Sequence, residues 1–250
     1  MRKLLDIKLL SQPFRSNVDV EFELANAKLI AEMYSKLENC ISVLSDLKAR
    51  KSYISYGSTA DLIGLVGREE EIKSIWEDEL LGKIHQEDLQ KKYKLEIEFF
   101  QLLNTIAITE RGDYELITKL RIKDKNGKYL LVKHRLLYIA SSADASIWLA
   151  LCLYNVLYDH PEHQIPQGVI INNKTANVIS NTEIGFSVLL SPREKHVLQL
   201  IKYGNRSKEI ADKLNLSINT INRHRQNIFQ KLNVSNAMEA CRMAENAGLI

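Results

Sequence analysis

At 250 residues, 45% of them apolar and 26% charged, the chain has room for one large or two modest globular domains and lacks the bias of a disordered or fibrous protein. No apolar run nears the roughly 20 residues of a membrane span, and the N-terminus lacks a signal-peptide core, so a cytoplasmic protein is expected. The net charge of +3 is unevenly spread: from position 187 onward 10 Lys and Arg face 5 Asp and Glu, while the residues before it hold 24 against 26. A basic small domain on a near-neutral larger one is the distribution expected when only the former meets phosphates. Cys40, Cys152 and Cys241, far apart and odd in number, suit a reducing compartment and offer no metal spacing.

The first segment, 1–37, opens with an arm. Met1 to Asn17 carries Pro13 and little pattern, and it reads as loosely docked. From Phe22 to Leu37 the residues Leu24, Ala27, Ile30, Ala31, Tyr34 and Leu37 recur at helical spacing, predicting one amphipathic helix that covers the next domain or pairs with a second copy.

The second segment, 38–158, is mixed. Ile41–Leu44 and Ser52–Tyr56 flank the polar stretch Asp46 to Lys51, a hairpin pattern. Helical pieces are expected over Ser58–Leu65 and Glu69–Leu80, then a long helix from about Ile84 to Leu103 on Leu89, Tyr93, Ile97, Phe100 and Leu103. Three strands follow, Asp113–Lys123, Lys128–Ala140 and Ser146–Leu157, with a strong hairpin turn at Asp124-Lys125-Asn126-Gly127. Two strands, several helices and three antiparallel strands make an α+β layer, a five-stranded sheet with its helices on one face. The Ile84-His85-Gln86-Glu87-Asp88-Leu89 piece and the Lys123–Tyr129 hairpin resemble parts of divergent PAS domains, which implies a sensor or dimerisation domain and leaves room for an unknown small-molecule ligand.

Catalytic and cofactor chemistry finds no support. His134 lies between Lys133 and Arg135 and reads as part of a surface stripe; His160 and His163 lack a third ligand at metal spacing. Gly64-Leu65-Val66-Gly67 lacks the lysine of a phosphate loop, and no nucleophile elbow is present. Neither an enzyme nor a bound cofactor is expected.

Segment 159–186 carries Pro161, Pro166 and Gly168. It reads as a linker with a small hairpin, Gly168–Ile171 and Ala176–Ile179 around Asn172–Thr175.

The last segment, 187–250, reads as four short helices. Ser191-Pro192-Arg193-Glu194 is a capping box with proline in the first turn; Val197, Leu198 and Ile201 form a stripe and Gly204 ends it. A second helix runs from about Ser207 to Leu214, Asn215-Leu216 turn, and Ser217 caps a third over about 218–232. In that helix Ile221, Ile228 and Leu232 share one side, while Asn219, Arg223, Gln226 and Gln230 point the other way with Asn222 beside them. An acid-free row of long polar side chains on the second of two helices joined by a tight turn suits entry into the major groove of double-stranded DNA, where amides suit adenine and arginine suits guanine.

The spacing of Leu190, Arg193-Glu194, Val197-Leu198, Gly204, Lys208-Glu209-Ile210-Ala211, Thr220-Ile221, Ile228, Lys231-Leu232 and Glu239-Ala240 resembles the LuxR/GerE type of DNA-binding domain, an all-α four-helix helix-turn-helix. Asn222, Arg225 and Ala237 depart from its usual lysine, apolar residue and arginine, so the operator is not transferable. The resemblance implies base contacts by Asn222, Arg223 and Gln226, phosphate contacts by Lys208, Asn219, Thr220 and Lys231, and a dimer face on Ala240, Met243, Ala244 and Ala247. A bacterial transcription regulator, homodimeric and possible partner of RNA polymerase, is the expectation. The alternative is an adaptor whose helix-turn-helix contacts protein instead of DNA.

Overall fold

Burial alternates along the middle of Tyr114–Lys123 and Tyr129–Ser141, whereas every residue from Ile147 to Tyr154 is buried, as in a strand covered on both faces. The computed structural model describes residues 1–14, 20–65, 68, 70–157, 168–175, 177–179, 190–232, 234–246 and 249–250. The element order is α1 (Arg2–Leu10), α2 (Val20–Leu37), β1 (Ile41–Asp46), β2 (Lys51–Tyr56), α3 (Thr59–Ile63), β3 (Glu71–Ile72), α4 (Asp78–Leu81), α5 (Gln86–Leu103), β4 (Tyr114–Lys123), β5 (Tyr129–Ser141), β6 (Ile147–Val156), β7 (Gly168–Asn172), β8 (Asn177–Ile179), α6 (Pro192–Lys202), α7 (Ser207–Leu214), α8 (Ile218–Leu232) and α9 (Ala237–Asn246). Two compact units divide the chain: Leu5–Ser180, and Asn181–Ile250 with Met1–Leu4. No described helix is long and apolar enough to cross a membrane.

In the larger unit all five expected strands form, antiparallel, in the order β2-β1-β6-β5-β4 with the helices between β2 and β4, an α+β arrangement. The Asp124 carboxylate accepts the backbone N–H groups of Asn126 and Lys128 at 2.8 Å each, and Gly127 takes a φ of 81°, closing the β4–β5 turn. The Ile84–Leu89 piece ties α5 to the sheet. Asp88 accepts the backbone N–H of Arg121 at 2.9 Å and two guanidinium N–H groups at 2.8 Å, and the Arg121 hydrogen bond holds its carboxyl below the usual range.

The sheet is larger than five strands. Ile72 and Glu71 pair with Ser52 and Tyr53, adding β3 beyond β2, and β7 pairs with β4 and with β8, adding two strands at the other edge. The helix expected over Glu69–Leu80 is therefore corrected among its described residues: the unpaired edge of β2 takes up Glu71 and Ile72, and only Asp78–Leu81 stays helical.

Helices also cover both faces. Ala27 and Ala31 of α2 pack with Leu44, Leu149, Leu151 and Leu153, while α5 covers the face of Cys152 and Tyr138. The N-terminal arm is firmly docked. Leu5 and Leu9 are buried at i, i+4 spacing, Asp6 accepts the Trp76 indole N–H at 3.0 Å, and Gln12 exchanges two hydrogen bonds with the Ile147 backbone.

Candidate nucleic-acid interface and the buried polar core

The smaller unit builds its interface from well-closed helix ends. Ser191 Oγ accepts the Glu194 N–H while the Glu194 carboxylate accepts the Ser191 N–H, the reciprocal box expected at the start of α6. Asn215 adopts the left-handed conformation (φ 50°) at the end of α7, and the Ser217 hydroxyl caps α8 through the Thr220 N–H at 3.1 Å. Ile221, Ile228 and Leu232 of α8 are fully buried. Opposite them Asn219, Asn222, Arg223 and Gln226 are exposed, as is Lys208 on α7, and among the described residues their side chains make no hydrogen bond or ion pair. Such a row is a set of exposed donors and acceptors without protein partners among the described residues, four of them on one capped helix. The Arg225 guanidinium lies over the Phe229 ring at 5.8 Å, which gives this polar residue an apolar seat.

Two of the expected contact residues, Thr220 and Lys231, have other employment. The Thr220 hydroxyl shares a 2.8 Å hydrogen bond with Ser217, inside the cap. The Lys231 ammonium donates to both oxygens of the buried Glu194 carboxylate at 2.9 and 2.7 Å. Burial pushes that carboxyl up, but the Lys231 and Ser191 hydrogen bonds overcome it and hold Glu194 below its ordinary value. The α9 face is corrected. Ala240 and Ala244 are fully buried where α9 packs on α6 and α8, so their methyls give no surface to a second copy. Met243 is half-buried, and Ala247 lies outside the described residues, as do His160 and His163. Among the described side chains of α9 the exposed ones are instead Met238, Arg242 and Glu245.

The sequence reading also missed a polar core in the larger unit. His134 is fully buried, because the strand parity that buries Val132, Leu136 and Tyr138 carries it inward; the surface stripe is thereby corrected. Its ring lies 4.8 Å from Tyr154, and both ring nitrogens lack a hydrogen-bond partner among the described residues. Burial, aided by the Lys92 charge, holds its pKa well below the usual value, so the ring is neutral. Lys92 and Glu96 form an ion pair at 2.6 Å, four residues apart on α5 and both buried, with Glu96 3.9 Å from His134. The Tyr154 hydroxyl donates a short hydrogen bond to the buried Glu77 carboxylate. Among the described residues His85, Glu87 and Asp88 bring possible metal ligands within 4.8 Å of one another, but Asp88 is taken by Arg121, whose positive charge repels a cation.

Comparison with known proteins separates the two units. Residues 188–244 match the family described as "Bacterial regulatory proteins, luxR family" (GerE). The C-terminal helices are a LuxR-family domain. The chain is 43% identical over 60 residues to the uncharacterized response regulatory protein YgeK of Escherichia coli K12, covering 24% of this chain and 41% of that one. It is 40% identical over 67 residues to the oxygen regulatory protein NreC of Staphylococcus carnosus, covering 27% and 30%. The match thus spans less than half of either relative. Among solved structures, a phage VqmA–DPO complex aligns over 91% of this chain and 92% of its own at 16% identity, with a TM-score of 0.36.

Proposed function

We propose that the protein is a dimeric, sequence-specific DNA-binding transcription regulator whose output is modulated through the PAS-like domain at 38–158. The observation that carries this is the exposed, acid-free row on α8 at the end of a rigid helix-turn-helix. In this reading α8 lies in the major groove with Asn222, Arg223 and Gln226 toward base edges. Lys208, Asn219 and Thr220 near the helix start approach phosphates, which fix register without reading sequence. Lys231 joins them only by leaving Glu194, so its role is to brace α6 against α8.

We assign pairing to α2. Phe22, Leu29, Met33 and Leu37 fall in one stripe along its outer side and are between 51% and 77% exposed. The two copies then present α8 helices to half-sites about 10 bp apart. Binding of full-length protein to a selected operator tests the base assignment. Arg223→Ala should weaken specific binding by about 1–3 kcal/mol and relax one operator position. An unchanged preference removes Arg223 from the reading row.

A further inference from the structure

A groove of about 370 Å³ opens beside the buried polar core, walled by Val43, Ile54, Leu65, Trp76 and Leu80 from β1, β2 and the segments leading to β3 and α4. That volume suits a small organic molecule. Glu77, Asp78 and Glu79 border it with Ser74, and no lysine, arginine or histidine is among the described residues that line it. Glu77 is the innermost of the three in accessibility terms, 7% exposed, and it is shared with a second, water-sized cavity of about 30 Å³ that Lys92, Glu96 and Cys152 also line.

Charge around Glu77 is unbalanced. Among the described residues Lys92 is the ammonium that shares this core with the two buried carboxyls of Glu96 and Glu77, and it is already bonded to Glu96 at 2.6 Å. His134 is neutral and adds no positive charge. The Tyr154 hydroxyl gives Glu77 a hydrogen bond and no counter-charge. A buried carboxylate without a cation beside it is unfavourable, so a further cation seated next to Glu77 would be stabilised. The groove supplies an entrance for such a cation, and the Trp76 ring in its wall favours a cationic guest; the Tyr56 ring already has the Arg68 guanidinium 6.0 Å from its centroid.

We propose that this groove binds a small organic monocation, an aromatic or branched aliphatic amine, whose ammonium pairs with Glu77 and whose apolar body lies against Ile54 and Trp76. The proposal deepens the reading of the larger unit as a sensor by naming the chemical class it senses, and it rests on that reading.

The test is calorimetric titration of the full-length protein, without DNA, with 2-phenylethylamine and with its neutral analogue 2-phenylethanol. The amine should bind at least about tenfold more tightly than the alcohol, and Glu77→Gln, which keeps an acceptor for Tyr154, should reduce that preference to less than about twofold. Ile72→Trp, at a half-exposed position in the groove wall, should weaken both probes together. Equal binding of the two probes, no binding of either, or a preference that survives Glu77→Gln overturns the assignment. The wild-type comparison stands even if a variant fails to fold. Operator binding by the same preparation is read separately, so a failure of the groove and a failure of the DNA reading are told apart.

Discussion

His134 shows how much depends on the parity of one strand. Flanked by Lys133 and Arg135 it looks like a surface residue, yet Val132, Leu136 and Tyr138 share its parity and all are buried, so the direction was legible in the alternation. What the sequence did not reveal was the company: Lys92 and Glu96 come from a helix about 40 residues away and meet His134 only through packing. A neutral buried histidine makes stability depend on pH. Its folded pKa is depressed, so its contribution is complete above about 6.5 and is lost as pH falls toward the folded value. Glu98 acts in the opposite sense, since burial pushes its carboxyl up to about 7. The informative quantity is therefore the difference between wild type and His134→Gln. Wild type should lose about 1.4 kcal/mol relative to the variant per pH unit below 6.5, as read by denaturant unfolding; parallel pH curves would contradict the neutral buried ring.

Lys231 makes the complementary case, where a side chain suited to phosphate is already engaged. Because the pair is partly exposed, Lys231→Met should cost only about 1 kcal/mol of unfolding free energy. The Glu194 pKa is lowered by this pair, so the lost stability is present above about 4.5 and fades on acidification. On DNA, Lys208→Ala should reduce the slope of log K against log salt by about 1, and Lys231→Met by clearly less. Equal effects would place the Lys231 ammonium on phosphate.

At the scale of elements, caps and periodicity carried most of the fold. The capping box at Ser191, the left-handed Asn215 and the Ser217 cap define the smaller unit from local chemistry alone, and the Asp124–Gly127 turn fixes β4 against β5 in the same way. What escaped were decisions made by distant partners. Glu71 and Ile72 become a strand because β2 offers an open edge, and β7 extends the sheet because β4 offers another. The arm docks because Trp76 and Ile147 lie ready to bond Asp6 and Gln12. The α2 helix buries Ala27 and Ala31 and leaves its larger apolar residues outside, a distribution that calls for a second surface. Leu29→Glu with Met33→Glu should convert a dimer to a monomer in light scattering while the far-ultraviolet circular dichroism stays unchanged. A dimer that persists would move the pairing surface away from α2.

For the whole molecule, the division of charge mirrors the division of labour. Residues 187–250 carry ten basic against five acidic residues and an open polar row on α8, whereas the larger unit buries a small ionisable cluster of Lys92, Glu96, His134 and Glu77. An open polar row without acids on one unit thus contrasts with a charged core beside an apolar groove in the other. The resemblance of the smaller unit was legible because its helix ends and stripe are local; the bases it reads were not, because Asn222 departs from the usual lysine.

The central claim is that α8 reads a DNA sequence. The measurement that meets it most directly is selection of bound duplexes from a random library by the full-length protein, followed by titration of the enriched site at several salt concentrations. The account predicts a two-fold symmetric motif with half-site centres about 10 bp apart and an affinity that falls linearly in log–log form with salt. Binding without any enriched sequence, or enrichment that Asn222→Ala, Arg223→Ala and Gln226→Ala together leave unchanged, would contradict it.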